Sequence, residues 1–148
     1  MIIIDINVLV YAHREDEPNN ARFAEWLSSV LRSPDPFAIP SVVGTGFIRI
    51  VTHPRIYDPP TPLARALQFI DLLRERPNHA MIEAGPRHWT IFRRLCTAAR
   101  LKGADISDAH LAAIAIESGA EIISTDSGFG RFPDLRWRHP FPERRITG

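Results

Sequence analysis

Three aspartates occupy positions from which a parallel sheet could gather them. Asp5 follows the apolar run Met1-Ile2-Ile3-Ile4, and Asp126 follows Glu121-Ile122-Ile123-Ser124 in the same relation. A buried strand leading straight into a helix opens a parallel-sheet α/β fold, and clefts in such folds lie beyond the carboxyl ends of the strands. Asp108 precedes the apolar run Ala109 to Ile116, and would enter the same space from the start of a buried helix. Carboxylates that converge repel one another: at an effective dielectric near 20, two unit charges about 4 Å apart cost roughly 4 kcal/mol. Lys102 is the only lysine, and no arginine adjoins Asp5 or Asp108 in sequence. The simplest compensation is therefore a hard divalent cation, Mg²⁺ or Mn²⁺, held by oxygen ligands. The histidines, at 13, 53, 79, 88, 110 and 139, lack the spacing of a zinc site. Carboxylate-held Mg²⁺ keeps waters and binds phosphate oxygens, which points to phosphate-ester chemistry.

Each aspartate also has a purely structural reading. Asp5 could cap the helix that follows it, Asp108 could belong to a helix-start box with Asp105 or Ser107, and Asp126 could start a turn. His110 fits a polar residue at the site mouth or a core histidine. Glu117, nine residues beyond Asp108, falls about half a turn away on the helix and is expected to face solvent.

The elements that must position these residues are legible as periodicities. A first helix carries Val8, Leu9 and Ala12. A second, opened by Pro18-Asn19-Asn20, presents Phe23, Trp26, Leu27, Val30 and Leu31 on one face. Phe37 to Pro40 reads as a short strand, and Ser41 as the cap of a third helix through Val43, Phe47, Ile48 and Val51. A proline-rich loop, Tyr57 to Pro62, leads to a fourth helix with Leu63, Ala66, Leu67, Ile70 and Leu73, which Pro77 terminates. Ala80 to Glu83 is expected as a strand. Pro86 opens a fifth helix with Trp89, Phe92, Leu95, Cys96 and Ala99 on its apolar side, closing at Gly103. After the strand at Glu121 to Ser124, Phe129, Phe132, Leu135 and Trp137 pack a closing segment, and residues 140–148 read as a polar tail.

At 148 residues and 45% apolar, with no internal repeat, the chain is expected to be a single domain, 1–148, able to bury a core. Its net charge of +1 conceals seventeen arginines beside the lone lysine, a choice that suits phosphate contacts and equally reflects coding bias. One cysteine, Cys96, allows neither a disulfide framework nor a thiolate metal site, and fits a reducing cytoplasm. The opening apolar run breaks at Asp5 without a basic leader, and no stretch approaches about 20 apolar residues, so neither secretion nor membrane spanning is expected.

Four segments in order carry a resemblance: Asp5-Ile6-Asn7-Val8-Leu9-Val10-Tyr11-Ala12, Phe47-Ile48-Arg49-Ile50-Val51-Thr52-His53-Pro54, Asp108-Ala109-His110-Leu111-Ala112-Ala113-Ile114-Ala115, and Ser124-Thr125-Asp126 with Phe129 and Phe132. Over nearly the whole chain they resemble PIN-domain ribonucleases of the VapC toxin type. The resemblance implies an α/β/α sandwich around a parallel sheet and a Mg²⁺-dependent endoribonuclease that inhibits translation by cutting RNA. It also implies a VapB-like antitoxin partner and a homodimer, and it matches Asp5, Asp108 and Asp126 to the family's metal-binding acids. One position departs. The family commonly has a glutamate three residues before the arginine corresponding to Arg49, and here that residue is Gly46. A helical glycine costs about 1 kcal/mol relative to alanine, so Gly46 signals close packing or room for a ligand. Asp105 is the nearest acid that could substitute.

On this reading Asn7 and Thr125 orient the metal ligands through hydrogen bonds. Arg93, Arg94 and Arg100 on the fifth helix, with Arg49, are candidate RNA-backbone contacts, each equally readable as an ordinary solvated residue. Two other readings compete. A non-catalytic PIN scaffold that binds RNA or protein would follow from the missing acid at Gly46. A phosphatase using Asp5 as nucleophile would ordinarily have a second acid where this chain has Asn7.

Overall fold

Four short parallel strands form the centre of the computed structural model, which describes residues 1–141. The element order is β1 (Ile2–Ile4), α1 (Ile6–His13), α2 (Asn20–Arg32), β2 (Phe37–Ala38), α3 (Ser41–Val51), α4 (Leu63–Arg74), α5 (His88–Ala99), α6 (Asp105–Ser118), β3 (Glu121–Ile123), a 3-10 turn (Ser127–Arg131) and β4 (Trp137–Arg138). The sheet runs β2-β1-β3-β4, with helices flanking it. Ile2, Ile3 and Ile4 pair with Glu121, Ile122 and Ile123, so Asp5 leaves β1 at the level where Ser124 leaves β3. Ile3, Ile4, Ile122 and Ile123 are fully buried, as strands covered on both faces must be.

Helix α6 lies deepest. Ala109, Ala112, Ala113 and Ala115 have no exposed surface, and the small side chains let the backbone approach its neighbours closely. Overpacking such a position costs about 1–3 kcal/mol, so Ala112→Leu should lower stability by that amount in a urea titration. The helix begins at Asp105, one turn before Asp108, so both acids stand in its first turn. Gly119 ends it in the left-handed conformation expected of a helix-stopping glycine.

Several local expectations are corrected. Ala80 to Glu83 forms no strand: His79 makes a single parallel bridge to Phe37, and the Ala80 amide donates to the Phe37 carbonyl at 2.7 Å before the chain turns outward. Glu83 instead reaches Ser41, accepting from its backbone amide at 2.9 Å and its hydroxyl at 2.7 Å. Ser41 is therefore the first residue of α3 and receives a cap from elsewhere. Trp89 is 65% exposed; its predecessor His88 turns inward, with Nε2 3.0 Å from the His110 carbonyl, and with Leu95 forms the buried face of α5. That helix stops at Ala99, and Arg100 rather than Gly103 takes the left-handed position that ends it. Glu117 is not a free surface acid: its carboxylate accepts from the Gly85 and Arg87 amides, each at 2.7 Å, and so caps the start of α5. Strand β4 was not expected, because only two residues, Trp137 and Arg138, pair with Ile122 and Ile123. Of the expected polar tail, residues 142–148 lie outside the described residues.

Candidate active site

Beyond the carboxyl ends of β1 and β3 lies a cavity of about 330 Å³, lined by Asp5, Asn7, Glu17, Tyr57, Asp108 and Asp126 together with apolar residues. The geometry explains how each acid arrives there. Asp5 is 9% exposed and performs two tasks at once. Its Oδ1 accepts the Ile6 amide at 2.8 Å, capping α1, while Oδ2 accepts the Ser124 hydroxyl at 2.7 Å and the Asn7 amide at 3.3 Å. The cap and the site are thus the same carboxylate. Asp126 likewise starts a turn, its Oδ1 accepting the Gly128 amide at 2.8 Å.

Ser124 is the hub. Fully buried at the end of β3, its hydroxyl oxygen donates to Asp5 and accepts from Asn7 Nδ2 at 3.2 Å and from the Asp126 amide at 3.0 Å. The sequence reading assigned this orienting role to Thr125, which contributes only its backbone amide, 3.3 Å from Asn7 Oδ1. Asn7 touches Asp5 directly, through Nδ2 at 3.3 Å. Ser124 could have been found from the β1–β3 register, which sets the residues after Ile4 and Ile123 side by side.

The acids sense one another. Burial pushes the Asp5 carboxyl above the usual carboxylate range, the charges of Asp108 and Asp126 add to the shift, and the Ser124 and Ile6 hydrogen bonds oppose it. Burial also raises Asp108, with Asp126 and Asp105 adding and Arg131 opposing. Arg131 is the compensating cation that the sequence did not reveal. It lies 23 positions beyond Asp108, and the turn after Asp126 returns it so that Nη2 stands 2.9 Å from Asp108 Oδ2 and 3.7 Å from Asp105 Oδ1.

The oxygen-only donors Asp5, Asp108 and Asp126 fit a hard divalent cation in chemistry, and one arginine, Arg131, balances only part of their charge. Among the described residues, no three His, Cys, Asp or Glu side chains are already gathered as a ligand set. All three acids are engaged by neighbours, Asp5 by Ile6, Ser124 and Asn7, Asp108 by Arg131, and Asp126 by Gly128.

Comparison with known proteins decides the family. The PIN domain family matches residues 2–135. A VapC ribonuclease of Mycobacterium bovis, Mb2897, is 44% identical over 140 residues, covering 95% of each chain. Ribonuclease VapC25 of Mycobacterium tuberculosis is 39% identical over 95% of this chain and 99% of its own. This chain belongs to the VapC family of PIN-domain ribonucleases. Solved structures agree on the fold: VapBC2 of Rickettsia felis, bound to a promoter DNA fragment, superposes with TM-score 0.69 at 19% identity, covering 94% of this chain and 98% of that one. The sarcin-ricin loop cleaving toxin VapC20 of Mycobacterium tuberculosis gives TM-score 0.64 at 11% identity, over 88% and 93%.

Against the family pattern, Gly46 proves to be a packing position. A side chain there would collide with Ile6 Cδ1 and lie 3.1 Å from Ile6 Cγ1, so Ile6 fills the space a longer residue would take. Asp105 does not replace the lost acid at the cavity; it is exposed and faces Arg131. The additional acid lining the cavity is Glu17, from the turn before α2, whose Oε1 accepts the Tyr57 hydroxyl at 2.7 Å. None of the four candidate RNA-contacting arginines lines this cavity. Arg93 and Arg94 border a separate cleft with Trp89 on the outer face of α5, Arg94 pairing with Asp134 at 3.2 Å, while Arg49 and Arg100 are exposed elsewhere.

The hub makes a direct prediction for a VapC-family site. Partners that orient ligating groups typically contribute about 10–100-fold to metal affinity or activity. Ser124→Ala should lower RNA cleavage by that factor, read as initial rates under saturating Mg²⁺.

Proposed function

We propose that this chain is a divalent-metal-dependent endoribonuclease toxin, acting as a single cytoplasmic domain that cuts RNA and thereby inhibits translation. The observation that carries this reading is the convergence of Asp5, Asp108 and Asp126, from three separate elements, on one cavity at the carboxyl edge of a parallel sheet. These three residues would hold Mg²⁺ or Mn²⁺, with Asp105 a more distant acid beside them. A divalent ion bound there supplies an activated water and charge stabilisation for phosphodiester hydrolysis. Ser124 and Asn7 fix the Asp5 carboxylate, so its free lone pairs point in a set direction. The exposed arginines at 49, 93, 94 and 100 are available to the RNA backbone at a distance from the chemistry. Fold neighbours solved as VapBC and FitAB complexes support a VapB-like antitoxin as partner, and a homodimer is expected from the family resemblance. No helix of the described residues is long and apolar enough to cross a membrane.

The test is to incubate purified protein with total RNA in Mg²⁺ or Mn²⁺ and map new 5′ ends by primer extension. Discrete cleavage, and growth arrest on expression that Asp126→Asn relieves, supports the proposal. A second reading draws on Ile6 filling the place beside Gly46: the protein would be a scaffold that binds RNA or protein without cutting. RNA bound but intact across the whole metal series would favour it.

The raised carboxyls set a pH dependence. A carboxyl whose folded pKa lies above its unfolded one stabilises the fold below the unfolded value, and that contribution is lost as pH rises through the folded value. Asp5 and Asp108 are of this kind, so without metal their contribution is greatest in acid and falls away as pH rises through their raised values. A cation reverses the balance by requiring both groups ionised. Added Mg²⁺ should therefore raise Tm most at neutral pH, with the increment fading as pH falls toward the carboxylate range, as differential scanning fluorimetry would show.

A further inference from the structure

Arg131 is not accounted for by the reading above. Its guanidinium sits within the acid cluster, with Nη2 bonded to Asp108 Oδ2 at 2.9 Å and within 3.7 Å of Asp105 Oδ1. A second observation places it beside the third acid as well. A Cβ built on Gly128 would lie 3.0 Å from Arg131 Nη1 and 2.9 Å from Asp126 Oδ1, so the guanidinium and the Asp126 carboxylate approach the same glycine. The Arg131 side chain is only 29% exposed, and its Cζ stands 4.9 Å from the centre of the Phe132 ring, which is itself buried. The ring supports the guanidinium from one side, and the acids hold it by one edge. Among the described residues most of its five N–H donors have no partner, and although Arg131 does not itself line the cavity, it is bonded to Asp108, which does.

We propose that Arg131 is the resident counter-ion of the acid cluster and, when RNA occupies the cavity, a direct contact to a non-bridging oxygen of the phosphodiester there. The argument is one of competition. A guanidinium on Asp108 neutralises the charge that a divalent cation would neutralise, so the two oppose each other at that carboxylate. Once a cation compensates the acids, the hold on Arg131 weakens, and a phosphate is the partner its planar fork best matches. Glycine at 128 suits this arrangement, because a side chain there would press on both the guanidinium and Asp126. The inference rests on the ribonuclease reading and adds a substrate contact from the chain itself.

The test separates metal binding from RNA binding, so neither depends on turnover. Mn²⁺ is titrated calorimetrically into the full chain and into Arg131→Gln; loss of one positive charge a few ångströms away should tighten Mn²⁺ binding about 3- to 10-fold. RNA binding is measured by anisotropy, with a short fluorescent single-stranded RNA, in Asp5→Asn and in Asp5→Asn/Arg131→Gln. The double variant should bind about 3- to 10-fold more weakly, with the slope of log K against log salt reduced by about 0.7, the value of one phosphate contact to a single strand. Arg131→Lys keeps the charge but not the fork, and should hold Mn²⁺ affinity near that of the parent while losing part of the RNA affinity; it carries the test if circular dichroism shows Arg131→Gln misfolded. Weaker Mn²⁺ binding in Arg131→Gln would overturn the competition, and unchanged RNA affinity and salt slope would overturn the phosphate contact. Failure of the ribonuclease reading is distinguishable: there the parent leaves RNA intact in Mg²⁺ and Mn²⁺, whatever Arg131→Gln does to the binding of ion or RNA.

Discussion

Asp5→Asn is expected to reduce RNA cleavage by at least about 10²-fold, since loss of an orienting partner alone costs up to that much and Asp5 is assigned as a ligand itself. The fold should not suffer with it. The parent carboxylate is 9% exposed, faces the charges of Asp108 and Asp126, and has its pKa raised chiefly by burial. The neutral amide removes both the desolvation of a charge and the repulsion. Its oxygen can still accept the Ser124 hydroxyl and the Asn7 side-chain amide, because Ser124 Oγ already accepts from Asn7 and Asp126; the bond given up is the Ile6 cap, a loss that relief of the buried charge offsets. Thermal unfolding of the metal-free variant should therefore show a Tm equal to or above the parent's, the pattern of a site that trades stability for activity. Lost activity with a Tm several degrees lower would mean that Asp5 matters chiefly as the cap of α1.

Gly46→Glu, the substitution that restores the family's usual acid, should destabilise the protein. Ile6 Cγ1 lies 3.1 Å from the position of a new Cβ and Cδ1 closer still. The Cδ1 end of Ile6 can turn aside, but Cγ1, at the branch next to the α1 backbone, must give by a few tenths of an ångström. Overpacking of this kind costs about 1–3 kcal/mol, and at about 2–3 kcal/mol here it exceeds the roughly 1 kcal/mol of helix propensity that replacing glycine returns by about 1–2 kcal/mol. For a chain of this size Tm should fall by roughly 2–8 °C. Ile6→Ala in the same chain should relieve the collision, giving a favourable coupling of about 0.5–3 kcal/mol in a double-mutant cycle. The double variant should also bind Mn²⁺ more tightly than Ile6→Ala alone, because it sends a carboxylate into the space of Ile6, which lines the cavity with Asp5. Gly46→Glu at parental stability would refute the packing account of Gly46.

What the sequence disclosed, and what it hid, follows from the range of the interactions. Asp5 and Asp126 were legible because each ends an apolar strand, and strand ends are local patterns. Helices α2, α3 and α4 follow from apolar periodicity. Ser124 was hidden because its role depends on β1 and β3 lying in register, a pairing across 119 positions. Arg131 was hidden because only the turn after Asp126 folds it back on Asp108, so reasoning from sequence neighbours found no arginine to balance the acids. The two-residue strand β4 is too short to carry alternation, and the segment at 80–83, which does have a strand-like composition, spends its acid on Ser41 instead. Trp89 was placed inside on hydrophobicity, yet the inward position goes to His88, which has a carbonyl to bond. Gly46 stands out in the sequence because the family resemblance puts a glutamate there and a helical glycine is costly; only the structure assigns it to contact with Ile6.

The central claim is that the three aspartates cut RNA by way of a divalent cation, and metal removal tests it most directly. Parent protein, dialysed against EDTA and then returned to buffer with or without Mg²⁺ or Mn²⁺, is mixed with a labelled RNA, alongside Asp5→Asn carried through the same purification. The account predicts no cleavage without the ion, recovery at the same sites when it is restored, and no recovery for Asp5→Asn. Cleavage by the parent that persists in EDTA, or that Asp5→Asn matches, would contradict it.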